Sequence, residues 1–398
     1  RQDLTFGNGF IIGPGIFRDT TGAFPSPRVD AVPDRYLVGT GLSNNYNTSI
    51  SGPKGLQYSV STYYDAARAT LDLDPWTIDV IYSKIVDSSL DFAANGNNPE
   101  ELAGINAGYK FDQYNSNVEA YYFYKNDDSF NSDLGYTDPV DYQAWGGIYD
   151  GTVNGYGNRI YDRNEVNVFG MRGNIDPVEN LSLSGEGAVQ WGKLIDESGV
   201  GTVNSDNVAS GDIERKRLAW AVDVSGNYLW KDVSYTPNFG LGFTYLSGED
   251  ADNSGKFNGW DPMYKGSFKS LIRDYMAGTG AAWNGVGGNI YQTLDPEDPS
   301  GSTNSMTLYV DGGLKPMEDL SLTARYLHFW AAEKVTGRSR SIGNEVDASL
   351  VYDYTEDVQF DLTGGIFLPG DFYKDNTDSY TKSDDNAMIL TGSVKVTF

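Results

Sequence analysis

The feature that most constrains this chain is a period of two. In "EVDASLVYDYTEDVQFDLTGGIFL", Val346, Ala348, Leu350, Tyr352 and Tyr354 alternate with Glu345, Asp347, Ser349, Val351 and Asp353. After Thr355-Glu356 the alternation resumes, with Val358, Phe360, Leu362, Gly364 and Ile366 against Gln359, Asp361, Thr363 and Gly365. Extended backbone turns successive side chains to opposite faces, so such a stretch is a hairpin with one apolar and one polar face. The pattern recurs in "YYDAARATLDLDPWTIDVIYS", "ELAGINAGYKFDQYNSNVEAYYFY" and "EVNVFGMRGNIDPVENLSLSGEGAVQW". It recurs again in "RLAWAVDVSGNYLWKDVSYTPNFGLGFTYL" and "MTLYVDGGLKPMEDLSLTARYLHFW". Each turn carries Pro, Asp, Asn or Glu, the residues tight turns favour. The closing "MILTGSVKVTF" alternates as well and ends on Phe398.

Between the hairpins lie longer stretches rich in Gly, Asn, Asp and Ser, over 12–60, 89–99, 128–162, 194–213, 247–302, 335–342 and 369–384. Short turns and long connections therefore alternate strictly. A soluble sandwich has no reason to sort its connections by length. An outer-membrane barrel does, with short periplasmic turns on one rim and long extracellular loops on the other. The reading is all-β: a single transmembrane antiparallel up-and-down β-barrel over 1–398, with about 14 strands counting a first one near "DLTFGNGFII". The terminal Phe398 then faces lipid at the periplasmic rim, where the barrel-assembly machinery recognises a last-strand aromatic. The setting is the outer membrane of a Gram-negative bacterium, in contact with lipid and lipopolysaccharide.

Composition agrees and removes other classes. No run of 18 apolar residues exists, which excludes a membrane helix but not a barrel, whose wall alternates. With 55 acidic and 29 basic residues the net charge is -26, which disfavours nucleic acid as a partner. There is no Cys, and the single His, His328, has no second His for a metal cluster or a base–nucleophile relay. An enzyme is not expected, and His328 reads as a packing residue of an aromatic strand end.

Several stretches resemble one family, the alginate-export channels of the outer membrane. "RQDLTFGNGFIIG" resembles its early strand motif and "YDAARATLDLDPWTIDVIY" the strand pair that follows. "YLSGEDADNSGKFNGWDPMY" resembles its Ser-Gly-Asp loop, and "LTARYLHFWAAE" with "IGNEVDASLVYDYTEDVQFDLTGGIFLPGDF" its closing strands. The resemblance implies a barrel of about 18 strands, with about four ahead of the "RQDLTFG" motif, so either the chain is trimmed at Arg1 or its barrel is smaller and closes with about 14 strands. It also implies a channel exporting an anionic polysaccharide through a basic lumen, whereas this chain is acidic overall.

Alternation assigns Arg68, Arg172, Glu186, Arg217, Asp223, Asp311, Arg325, Glu345 and Asp347 to the lumen, as pore-lining candidates. Arg68, Arg172, Arg217 and Arg325 resemble the family's pore arginines in placement. Pairing with inward acids across neighbouring strands, such as Arg325 with Asp311, is the competing reading. In "DADNSGKFNGWD", Asp250, Asp252, Ser254, the Lys256 carbonyl and Asp261 follow the spacing of a twelve-residue calcium loop, so Ca2+ is the candidate ion, with a plain acidic surface loop as the competing reading. "SFKSLIRDYMAG" has helical spacing through Phe268, Leu271, Ile272 and Tyr275, so the 247–302 connection either folds into the lumen or caps the outside. The expected function is a passive channel for anionic polysaccharide or small hydrophilic solutes. The alternative is a structural barrel that anchors or sheathes a secretion or electron-transfer partner.

Overall fold

The structure is a computed structural model. It describes residues 6, 11–12, 66–85, 100–127, 161–196, 213–249, 256–261, 263, 269–276, 303–334, 338–374 and 385–397. The strands are β1 (Ala66–Asp72), β2 (Trp76–Ile85), β3 (Glu100–Phe111), β4 (Ser116–Asp127), β5 (Tyr161–Val178), β6 (Leu181–Asp196) and β7 (Ile213–Leu229). They continue with β8 (Asn238–Leu246), β9 (Lys256–Phe257), β10 (Ser305–Met317), β11 (Leu320–Ala331), β12 (Ser341–Thr355), β13 (Val358–Pro369) and β14 (Ala387–Val396). All except β9 form one antiparallel meander in chain order, β8 pairing β10 directly. The two-residue β9 lies parallel to β7, with Lys216 opposite Lys256 and Arg217 opposite Phe257. Among the described residues no register joins β1 to β14.

The sheet therefore has fourteen members, but not the fourteen expected from sequence. The described part of "DLTFGNGFII" does not enter the wall. Phe6 and Ile12 form an isolated bridge, and both pack with Ile11 against inward side chains. These apolar residues find an apolar patch inside the wall, which competes with strand pairing for them. The fourteenth strand is instead β9, a short piece of the β8–β10 connection. Phe398 lies outside the described residues.

Register puts large apolar side chains on one outer face. Val80, Ile105, Phe169, Met171, Trp220, Leu241, Tyr326, Val346 and Leu362 are all exposed there. At the end of the meander Met388 is 74% and Leu390 75% exposed. Leaving such side chains in water forgoes about 1.5–3 kcal/mol each, so this face belongs in lipid. Aromatic pairs gather towards both rims. Near the short turns are Trp76–Tyr109 (4.8 Å), Tyr228–Trp230 (4.8 Å) and Tyr354–Phe360 (6.0 Å). Near the long connections are Tyr122–Trp191 (6.1 Å), Trp220–Tyr245 (4.1 Å) and His328–Trp330 (3.9 Å). Trp220 and Trp230 are about 33 Å apart along an extended strand, or about 25 Å across the membrane at barrel tilt. His328 is thus a girdle residue on the outer face, its Nδ1 2.6 Å from Asn344 Oδ1.

Candidate channel constriction

The inner face carries the other parity, and pieces of the β8–β10 connection lie against it. The first piece follows β8. Ser247 Oγ donates to the Asn258 carbonyl at 2.7 Å, and Trp260 N–H donates to the Ser247 carbonyl at 3.0 Å. Glu249 accepts the Asn258 N–H. From the wall, Gln190 of β6 clasps the Asp261 backbone both ways, its Nε2 donating at 2.7 Å and its Oε1 accepting at 2.8 Å. Arg217 of β7 donates to the Gly259 carbonyl at 3.0 Å and lies over the Phe257 ring at 4.6 Å. Asp261 ends between two cations, 3.8 Å from Lys125 Nζ and 3.7 Å from Arg217 Nη2, with all three side chains fully buried. Trp260 and Met263 complete an inner apolar cluster with Leu102, Phe123, Val166 and Val168, together with Phe6, Ile11 and Ile12.

The second piece crosses towards the other side of the wall. Lys269 Nζ sits 3.0 Å from Asp223 of β7, which also accepts a 2.6 Å bond from Thr244 Oγ1. Burial would lower the Lys269 pKa, but the Asp223 charge and the Tyr309 hydroxyl outweigh it and hold the ammonium above its ordinary range. Arg325 of β11 donates to the Lys269 carbonyl at 2.9 Å and pairs with Asp311 at 3.2 Å. Tyr309 presents its ring to both cations, 5.2 Å from Lys269 Nζ and 5.0 Å from Arg325 Cζ. There follows a six-residue π-helical turn, Leu271–Met276. Its first amides are capped by two carboxylates of β12. Leu271 N–H donates to Asp347 at 3.1 Å, and Ile272 and Arg273 N–H donate to Glu345 at 2.6 and 2.8 Å. The free amides of a helical start accept negative charge in this way.

The residues singled out from sequence thus fall into two groups. Arg217, Asp223, Arg325, Glu345 and Asp347 fasten the inward segments, and Asp311 pairs with Arg325. Glu186 accepts a 2.7 Å bond from Tyr121 Oη nearby. Arg68 and Arg172 lie elsewhere on the inner face, paired with Asp79 at 2.8 Å and Glu119 at 3.1 Å. Each of the four candidate pore arginines therefore has a carboxylate partner. Of the calcium set, Asp250, Asp252 and Ser254 lie outside the described residues, and Lys256 is an exposed residue of β9. Asp261 is committed to Lys125 and Arg217, a cationic surrounding unlike that of a calcium ligand. Sequence reading passed over Gln190 and Arg273. Gln190 is a polar residue among inward Ala and Val, and Arg273 sits in a segment read only for its apolar spacing.

The "Alginate export" family profile matches residues 59–384. The chain belongs to the alginate export family. This alginate export protein is accordingly an outer-membrane β-barrel and not an enzyme. Among solved structures it is similar to OccK11 (OpdR) of Pseudomonas aeruginosa, at 14% identity over 84% of this chain and 71% of that one, with a TM-score of 0.38. It is similar to OccK8 (OprE) of the same organism at 12% identity, over 83% and 70% of the two chains, with a TM-score of 0.36. The toluene transporter TodX of Pseudomonas putida matches at 10% identity, over 77% and 78%, with a TM-score of 0.28. No individually curated protein matches the chain.

Proposed function

We propose that this alginate export family member is a passive channel for small hydrophilic solutes, narrowed from within by segments 256–263 and 269–273. The observation that carries the reading is the fastening of those segments to inward side chains of β4, β6, β7, β11 and β12. In it the solute path is lined by Arg68, Arg172, Asp311 and Arg325, while Glu186, Arg217, Asp223, Glu345 and Asp347, expected from sequence to line it, are buried beneath or beside the segments that narrow it. Opposed charges of both signs orient polar solutes without attracting ions of one sign along the whole bore. Export of an anionic polysaccharide is the second reading, favoured by the family match. It requires a basic stripe, and the pairing of Arg68, Arg172, Arg217 and Arg325 with carboxylates argues against one.

Single-channel conductance and the cation/anion permeability ratio in a planar bilayer test the two. A stable pore of weak selectivity that short alginate oligomers do not block supports solute diffusion. Strong anion preference with block by those oligomers supports polysaccharide export, and an absence of conductance sinks both. Calcium belongs to this reading as an ion on the long-connection rim held by Asp250, Asp252 and Ser254. An unchanged thermal transition with calcium or chelator, in wild type and Asp252→Ala alike, removes it. Lipopolysaccharide and the barrel-assembly machinery are the expected partners.

A further inference from the structure

We infer that Lys193, Lys216 and Lys256 form a binding site for the phosphate of an outer-leaflet glycolipid, on the lipid-facing side of the wall. The inference gives a place to the lipopolysaccharide contact proposed above and does not depend on the channel reading. The three lysines stand in one row. Lys193 of β6 is opposite Lys216 of β7, and Lys216 is opposite Lys256 of β9. Residues opposite in register share a face, and all three are exposed. They lie on the outer parity with Trp191, Leu218 and Trp220, whereas Arg217 and Phe257 beside them are buried within. Like charges directly opposite on neighbouring strands repel. Glu165 of β5 is opposite Lys193, so the row holds three cations against one carboxylate in a chain of net charge -26. Among the described residues neither Lys216 nor Lys256 forms an ion pair. An anion set between them relieves the repulsion.

The level of the row selects a lipid phosphate over a dissolved one. β6 ends at a long connection and β7 begins from one, so Lys193 and Lys216 lie on the long-connection side of Trp191 and Trp220. The two steps are about 7 and 13 Å along extended strands, or about 5 and 10 Å across the membrane at barrel tilt. Trp220, stacked on Tyr245 at 4.1 Å, belongs to the aromatic band that marks the edge of the hydrocarbon. The headgroup layer beyond that edge is about 5–7 Å deep, and a lysine stem reaches along the wall to place its ammonium within it. Below the row the wall is apolar: Leu218 is 59%, Val189 44% and Trp191 41% exposed. A molecule with phosphate above and acyl chains below meets both surfaces, whereas a free phosphate meets only the first. A zwitterionic phospholipid brings its own cation, which the lysines repel.

The test uses the whole protein in detergent, with chelator present so that calcium does not bridge lipid to neighbouring acids. Lipid A, dephosphorylated lipid A and inorganic phosphate are the probes, and native mass spectrometry reads the lipid retained. Heat-modifiable mobility on gels confirms that each variant is folded. Lys216→Gln with Lys256→Gln is expected to weaken lipid A binding at least about tenfold. The charge-matched pair Lys231→Gln with Lys315→Gln, exposed near the short turns, is expected to leave it unchanged. Dephosphorylated lipid A is expected to bind wild type as weakly as lipid A binds the first double variant. Equal loss in the two double variants, or equal binding of the two lipids, overturns the site. Displacement of lipid A by an equal concentration of inorganic phosphate overturns the lipid assignment in favour of a free anion. Lipid A binding that neither double variant weakens overturns the site but keeps lipopolysaccharide as a partner, and wild type that retains no lipid A overturns both.

Discussion

Asp261 shows how a single buried carboxylate organises the interior. It sits between Lys125 and Arg217, three fully buried side chains with one negative charge against two positive. Removing the carboxylate leaves two buried cations facing each other. Asp261→Ala is therefore expected to lower stability by about 3 kcal/mol, read as a fall in the temperature of heat modifiability. The loss should be the same with calcium or with chelator, because the role is ion pairing; a loss seen only with calcium present would restore Asp261 to a metal site. Glycine acts at this scale too. A Cβ on Gly242 would strike the Tyr309 ring, the ring beneath Lys269 and Arg325. Gly242→Val should displace that ring and weaken two cation–π contacts, each worth about 0.5–2 kcal/mol. Unchanged trypsin resistance at Lys269 in this variant would count against the ring's role. The face occupied by Arg172 and Arg325 was legible from "FGMRGNI" and "LTARYLHF". Their neighbours Glu119 and Asp311 were legible by the same parity, but Asp261 was not, because it comes from a connection rather than a strand.

The elements that matter are the wall strands and the segments they hold. β12 holds the π-helical turn through charge-assisted amide bonds, each worth about 1.5–3 kcal/mol. Replacing both carboxylates, Glu345→Gln with Asp347→Asn, keeps the shapes and removes the charge. The double variant is expected to free the turn, raise conductance and expose Arg273 to trypsin. Wild-type conductance together with wild-type proteolysis would show that the turn is held by other means. The pairing of Lys269 with Asp223 should persist through neutral and moderately alkaline pH. Its raised pKa keeps it charged through its ordinary titration range, so the contribution is fully present below that range and is lost only as pH climbs through the folded-state value. The strands themselves were legible from alternation, with β10 to β13 falling in the hairpins marked by "MTLYV" and "EVDASL" and β14 in the closing "MILTGSVKVTF". Of the expected first strand only Phe6, Ile11 and Ile12 are described, and these pack inside the wall. Phe6, Ile11 and Ile12 alternate poorly and carry enough apolar surface to pack elsewhere.

For the molecule as a whole, the outer aromatic bands and the inner constriction make separate demands. Trp191, Trp220 and Trp230 lie on the outer face, each 39–47% exposed, while Trp260 is 2% exposed inside. Brominated lipids should quench the first set, and Trp260→Phe should leave the lipid-quenched fraction of fluorescence no smaller; a drop in that fraction would put the inner segment against lipid. The sequence by itself determined the barrel, because a period of two with strictly alternating short and long connections admits few other closures of backbone hydrogen bonds in lipid. It also determined which face each wall charge occupies, since parity is local. It left open whether the 247–302 connection folds in or caps the outside. For the described pieces of that connection only the tertiary structure decided it, through contacts such as Gln190 with Asp261 and Glu345 with Ile272. Those pairs are 71 and 73 residues apart in the chain, and no local periodicity encodes which distant carboxylate or amide a folded connection will meet.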